Sequence, residues 1–183
     1  MTVPQLAVLS AATACFASYL WGLVRFFRQP GGGDRGVVLI KAATVLSVVA
    51  QFAAILFLYR HGAWRFAAAM ALYAVSLALF WWCIGVNWAQ PLSLAFSEDP
   101  PRHLVAAGPH TLIRHPFYAS YLLCWAAGVL ATGEPLLILT VLGMGWLYHR
   151  AALAEEAKFA ASPLAGEYAR YAARTKRYVP YVF

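Results

Sequence analysis

The chain has 183 residues, of which 62% are hydrophobic and 11% charged, with a mean hydropathy of +0.64. A soluble domain carries roughly 25% charged residues, so a water-facing globule is excluded and an integral membrane protein is expected. The net charge of +7 sits in short clusters between apolar runs rather than along one face, which favours anionic lipid headgroups over nucleic acid as partners.

Three runs are long enough to cross a bilayer, which takes about 20 apolar residues. They are Val3–Val24, Val37–Tyr59 and Trp64–Trp88. The first has no basic residue before it, and Arg25 and Arg28 follow it. It reads as a retained transmembrane helix rather than a cleaved signal. PGGGDRG at 30–36 reads as a turn; without GKS/T or a preceding strand it is no phosphate-binding loop. Gln51 and Asn87 are expected to be interhelical hydrogen-bond partners, and Tyr59, Trp81, Trp82 and Trp88 packing or interfacial aromatics.

Two further runs, Phe117–Thr132 and Pro135–Tyr148, are short. They cross only if their helices extend a turn beyond the apolar limits; otherwise they form a non-spanning hairpin. Five spans with the N-terminus outside put twelve of the fourteen Lys and Arg on inner segments, leaving Arg60 and Arg65 outside. That bias places the C-terminus in the cytoplasm. The start of the fourth run and the polar tail then share the cytoplasmic side.

The fourth run opens with LIRHPFYASYLL, 112–123. Pro116 suits the first helical position, where its missing N–H is not needed. His115 becomes the N-cap, and the free N–H groups of the helix favour an anion there. Arg114 and His115 add to that attraction, and His115 and Tyr118 share one helical face. A basic snorkelling anchor with an interfacial tyrosine accounts for the same pattern.

Past the fifth run, HRAALAEEAKFAA reads as a surface helix containing Glu155 and Glu156. Adjacent helical residues point about 100° apart, so the pair forms no single dyad. One glutamate is expected inward and the other toward water. The bland alternative is a solvated face with a Glu155–Lys158 pair. Ser162-Pro163 suits the N-cap and first position of a second short helix. On it Leu164, Tyr168 and Tyr171 share one face and Glu167, Arg170 and Arg174 another. This amphipathic tail either lies against headgroups or folds over the hairpin.

Other chemistries find little support. Cys15, Cys83 and Cys124 all lie inside apolar runs without a CxxC pair, so neither a disulfide framework nor a zinc site is indicated. His61, His103, His110 and His149 do not suggest facing haem ligands. No Ser-His-Asp, HExxH or GxSxG arrangement is present.

HLVAAGPHTLIRHPFYASYLL (103–123), followed by EEAKFAASPLAGEYARYAARTKRYVP (155–180), resembles the isoprenylcysteine carboxyl methyltransferase family and the related phospholipid N-methyltransferases. The resemblance covers 101–180; residues 1–88 match only as apolar spans within a single unit, 1–183. It implies an all-α membrane enzyme that uses S-adenosylmethionine, held at the cytoplasmic end of the last two spans and covered by the C-terminal segment. By motif position, Gly108, Pro109, His115, Pro116 and Tyr118 would line the cofactor pocket, with Glu155 or Glu156. Arg114 and Arg174 would steer an anionic substrate, and Glu156 joins them as a catalytic candidate. The family's GPY is GPH here, so His110 replaces a tyrosine. The implied acceptor is amphipathic or lipid-linked, methylated at a carboxylate or, as in the phospholipid enzymes, at an amine. An NADPH-dependent reductase of similar fold and a non-catalytic membrane binder are the remaining alternatives.

Overall fold

The computed structural model describes residues 1–27, 35–60, 62–89, 101 and 103–182. Most of the turn expected at 30–36, together with Arg28 and His61, lies outside the described residues. The chain is an all-helical membrane bundle. Among the described residues four helices are long and apolar enough to cross a membrane, and one apolar helix is shorter.

Helix α1, Val3–Trp21, starts at a reciprocal cap: Thr2 Oγ1 accepts from Gln5 N–H, and the Gln5 side chain accepts from Thr2 N–H. Gln5 also donates to the carbonyls of Ile55 (2.8 Å) and Leu56 (3.1 Å). It thereby closes the C-terminal end of α2, Arg35–Phe57, and sets α1 and α2 antiparallel. One π-helical turn, Gly22–Phe26, extends α1. Helix α3 runs Ala63–Asn87.

Helix α4, Pro116–Thr132, gains no turn beyond its apolar run. Its 17 residues span about 25 Å at the helical rise, less than a hydrocarbon core of roughly 30 Å. It is nonetheless the central helix, packed most extensively on α3 and touching α1, α2 and α5 as well. Protein covers what lipid would otherwise meet, so its length need not match the bilayer. Helix α5 behaves differently. After a 3₁₀ turn at Pro135–Leu137 it runs Ile138–Ala160, well past the apolar limit at Tyr148. The expected surface helix HRAALAEEAKFAA is thus the continuation of α5, not a separate element.

Small residues let the helices approach closely. Ala12 and Cys15 of α1 meet Ala69 and Tyr73 of α3 and Cys124, Ala127 and Ala131 of α4 in one buried cluster. On the other side of α4, Tyr118 and Trp125 pack against Met144, Leu147, Tyr148, Ala151 and Ala152 of α5. Gly128 is a point of contact with α2: a Cβ there would lie 2.3 Å from Gln51 Cδ. Gln51 donates to Tyr73 Oη of α3 (3.0 Å), as expected for an interhelical partner. Asn87 does not follow that expectation. Its amide reaches Cys83 O in its own helix (2.8 Å) and the His110 ring (3.3 Å), because it sits at the end of α3 where a loop, not a helix, is its neighbour.

Helix α6 spans Ala165–Ala172, starting later than Ser162-Pro163 suggests. Ser162 Oγ does accept a backbone N–H, that of Leu164 (3.1 Å), but it closes a turn before the helix rather than the helix itself. The tail folds back over the bundle. Tyr168 stacks on Phe159 of α5, with ring centroids 4.8 Å apart, and Tyr171 is buried.

Candidate functional site

The site forms where three separate stretches converge: the start of α4, the polar end of α5, and the strap after α6, residues 173–182. Pro116 occupies the first turn of α4 and His115 is its N-cap, as the RHP pattern predicts. His115 makes no side-chain cap bond. Its imidazole is committed elsewhere.

The strap is tied to this corner by backbone. Arg114 N–H donates to Lys176 O (2.7 Å) and His115 N–H to Arg177 O (3.0 Å). With the parallel bridge Ile113–Lys176, these are the only β-type pairings among the described residues. Arg114 reinforces the tie: Nη1 donates to Ala172 O (3.0 Å) and to Thr175 O. A guanidinium at the carbonyl end of α6 is favourably placed against the helix dipole.

Glu155 and Glu156 both turn toward α4, contrary to the expectation that one would face water. The His115 ring lies between them. Its Nε2 is 3.1 Å from Glu156 Oε1 and its Nδ1 3.5 Å from Glu155 Oε2. The 100° between the two side chains is what allows each to meet a different edge of one ring. Only the imidazolium has an N–H on both edges. Burial disfavours that charge, but the hydrogen bonds and charges of the two glutamates outweigh it and raise the His115 pKa above its ordinary value.

The glutamates differ in how fully they are engaged. Glu156 also takes Arg114 Nε (3.1 Å), Arg177 Nε (3.0 Å) and Arg177 Nη2 (2.8 Å). Its side chain is 15% exposed, and three cationic groups use its lone pairs. Glu155 accepts from Tyr118 Oη and faces His115. It remains 33% exposed, with acceptor capacity to spare.

Aromatic rings wall the glutamates on the bundle side. Tyr118 is stacked between His115 (5.7 Å) and Tyr148 (5.3 Å, interplanar 8°). Tyr178 of the strap covers His115 from another side at 5.9 Å and meets His149 Nδ1 at 3.3 Å.

Gly108 and Pro109, expected to line the cofactor pocket, belong instead to the turn that packs on α3. Gly108 opens a 3₁₀ turn, Gly108–Thr111, with φ +56, and a Cβ there would lie 2.4 Å from Val86 Cγ2 of α3. Only glycine has neither the strain nor the clash. His110 is buried, its ring beside Asn87 and its carbonyl accepting from Tyr171 Oη (2.8 Å). Burial pushes its pKa down to about 4. It is a neutral clasp joining α3, the loop and α6.

Of the residues singled out in the sequence, the fold brings together Arg114, His115, Pro116, Tyr118, Glu155 and Glu156. Arg174 is not with them: it is exposed, and its Nε donates to Arg170 O (3.2 Å). Arg177 occupies the place by Glu156, and sequence reasoning passed over it, as it did Tyr148 and Tyr178. Within RTKR no residue stands out; only the backbone tie selects which basic side chains face α5. No protein-family model matches the chain, and no curated protein matches it.

Proposed function

We propose that the chain is an S-adenosylmethionine-dependent membrane methyltransferase, similar to the isoprenylcysteine carboxyl methyltransferases, acting on a lipid-like or lipid-linked acceptor. One observation carries the reading: Glu155 and His115, 40 positions apart, flank Tyr118 at a single corner. The donor set suits the cofactor. Glu155 has spare acceptor capacity for an ammonium or ribose hydroxyls, and the half-buried ring of Tyr178 suits a sulfonium or a planar base.

When bound, S-adenosylmethionine supplies an electrophilic methyl group for in-line displacement. The protein's own work is then alignment and exclusion of water. Glu155 orients, and the stacked rings of Tyr118 and Tyr148 exclude water from the bundle side of the corner. Glu156 clamps α4, α5 and the strap through Arg114, His115 and Arg177, so it acts by positioning rather than by contact. An acceptor carboxylate is already ionised and needs no base, which favours O-methylation. The exposure of Glu155 supports amine methylation as a second reading, since a carboxylate with free capacity can accept the amine's proton.

The positive-inside distribution supports a cytoplasmic site with the N-terminus outside. The bundle's exposed apolar residues, such as Trp146 and Leu153 on α5, supply a surface along which a lipid acceptor arrives. The test is transfer of labelled methyl from S-adenosylmethionine to membrane lipid and protein fractions by the purified protein. Label released as methanol by alkali indicates a carboxyl ester, and alkali-stable label an amine. No incorporation, together with no binding of S-adenosylhomocysteine, sinks the proposal.

A further inference from the structure

The strap has two faces, and only one belongs to the corner just described. Thr175 is buried and Arg177 turns to Glu156, whereas Arg174 and Lys176 are exposed. Arg174 lies in the turn that closes α6, its N–H donating to Tyr171 O (3.1 Å), and Lys176 follows at the bridge to Ile113. Arg174 and Lys176 line a cavity of about 200 Å³ with Thr111, Leu112 and Tyr181. A neighbouring hollow of about 300 Å³ shares Thr111 and Arg174 and adds Arg170.

We propose that the Arg174–Lys176 cavity binds the phosphate of an anionic phospholipid headgroup. Its lining holds two cations and no acid; Glu167, the one acid nearby, lines only the adjoining hollow. Among the described residues neither Arg174 nor Lys176 has a carboxylate partner. Two like charges on one concave surface repel each other, and an anion between them removes that cost. Arg174 Nε is occupied by Arg170 O, which steadies the guanidinium and leaves its terminal nitrogens for a forked contact with phosphate. Tyr181 adds a hydroxyl.

The rim indicates a lipid rather than a soluble phosphate. Leu112, which lines the cavity, is 43% exposed. Charge in the hollow and hydrocarbon on its edge match a molecule with a phosphate head and acyl chains. The site is separate from the methyl-transfer corner, because none of its lining residues belongs to the cluster around Glu155 and Glu156. It stands whether or not the chain transfers methyl groups.

The full chain, delipidated in detergent, is titrated with phosphatidylglycerol and with phosphatidylcholine, and bound lipid is counted by native mass spectrometry. One phosphatidylglycerol is expected to be retained, at least tenfold tighter than phosphatidylcholine. Arg174→Gln/Lys176→Gln is expected to lose that tenfold, and Arg174→Lys/Lys176→Arg to keep most of it. Lys176→Gln alone, at an exposed position, gives a smaller loss and serves if the double variant does not fold. Arg25→Gln, an exposed cation in the π-helical turn after α1, leaves retention unchanged. Equal retention by wild type and Lys176→Gln overturns the proposal, as does an equal loss in Arg25→Gln, which would mean diffuse charge. Displacement by equimolar inorganic phosphate overturns the lipid assignment.

Discussion

His115 and Glu156 lie 41 positions apart, yet Nε2 and Oε1 are 3.1 Å from each other. The contact joins the first turn of α4 to the polar end of α5, and Arg177 adds the strap to the same carboxylate. Glu156 is therefore a structural hub, while its neighbour Glu155 keeps spare acceptor capacity.

The two glutamates are expected to separate experimentally. Glu156→Gln leaves Arg114, His115 and Arg177 facing one another without their shared anion. Loss of one partner from a part-buried ionic cluster costs about 3 kcal/mol, read by denaturant or thermal unfolding in detergent. Arg177→Gln, at a more open position, costs about 1 kcal/mol. If both substitutions leave unfolding unchanged, Glu156 is not a hub.

Glu155→Gln is expected to act on ligand affinity instead. Binding of S-adenosylhomocysteine, measured by calorimetry, should weaken about tenfold, equivalent to about 1.4 kcal/mol, with little change in Tm. A variant that binds as tightly as wild type removes Glu155 from the proposed cofactor contacts.

The two buried histidines give stability opposite pH dependences. His115 has a folded pKa above its ordinary 6.5, so the folded state holds a proton that the unfolded chain releases first. Its contribution is complete below the unfolded value and disappears as pH rises through the folded one. His110 is pushed down to about 4 from 6.5, so between those values the unfolded chain binds more protons. Stability therefore declines as pH falls through that window. Thermal unfolding across pH should show His115→Gln flattening the alkaline limb and His110→Gln flattening the acid one. Unchanged limbs in both variants contradict these environments.

Gly108→Ala combines two penalties, the left-handed backbone at φ +56 and the clash with Val86. Each is worth about 1–3 kcal/mol. Adding Val86→Ala should recover the packing part and leave the backbone part. Full recovery in the double variant would show that backbone conformation contributes nothing.

Much of the corner was legible in LIRHPFY because its signals are local. A proline that starts a helix, the N-cap before it, and a tyrosine three residues on depend on neighbours in sequence, and the fold places all three as read. Glu155 and Glu156 were visible as a pair but not in their roles. Their direction depends on how far α5 continues beyond Tyr148 and how it is rotated against α4. Arg174 and Arg177 were indistinguishable for the same kind of reason: a single backbone bridge at Ile113–Lys176 decides which of them meets Glu156.

By itself the sequence determined that this chain is a helical membrane bundle, since a long apolar run in lipid must satisfy its backbone hydrogen bonds internally. That constraint acts within each run and needs no knowledge of the others. Only the tertiary structure decided which charges meet. The pairing of His115, Glu156 and Arg177 arises from the register of α5 on α4 and from the strap's return, and no local pattern encodes either.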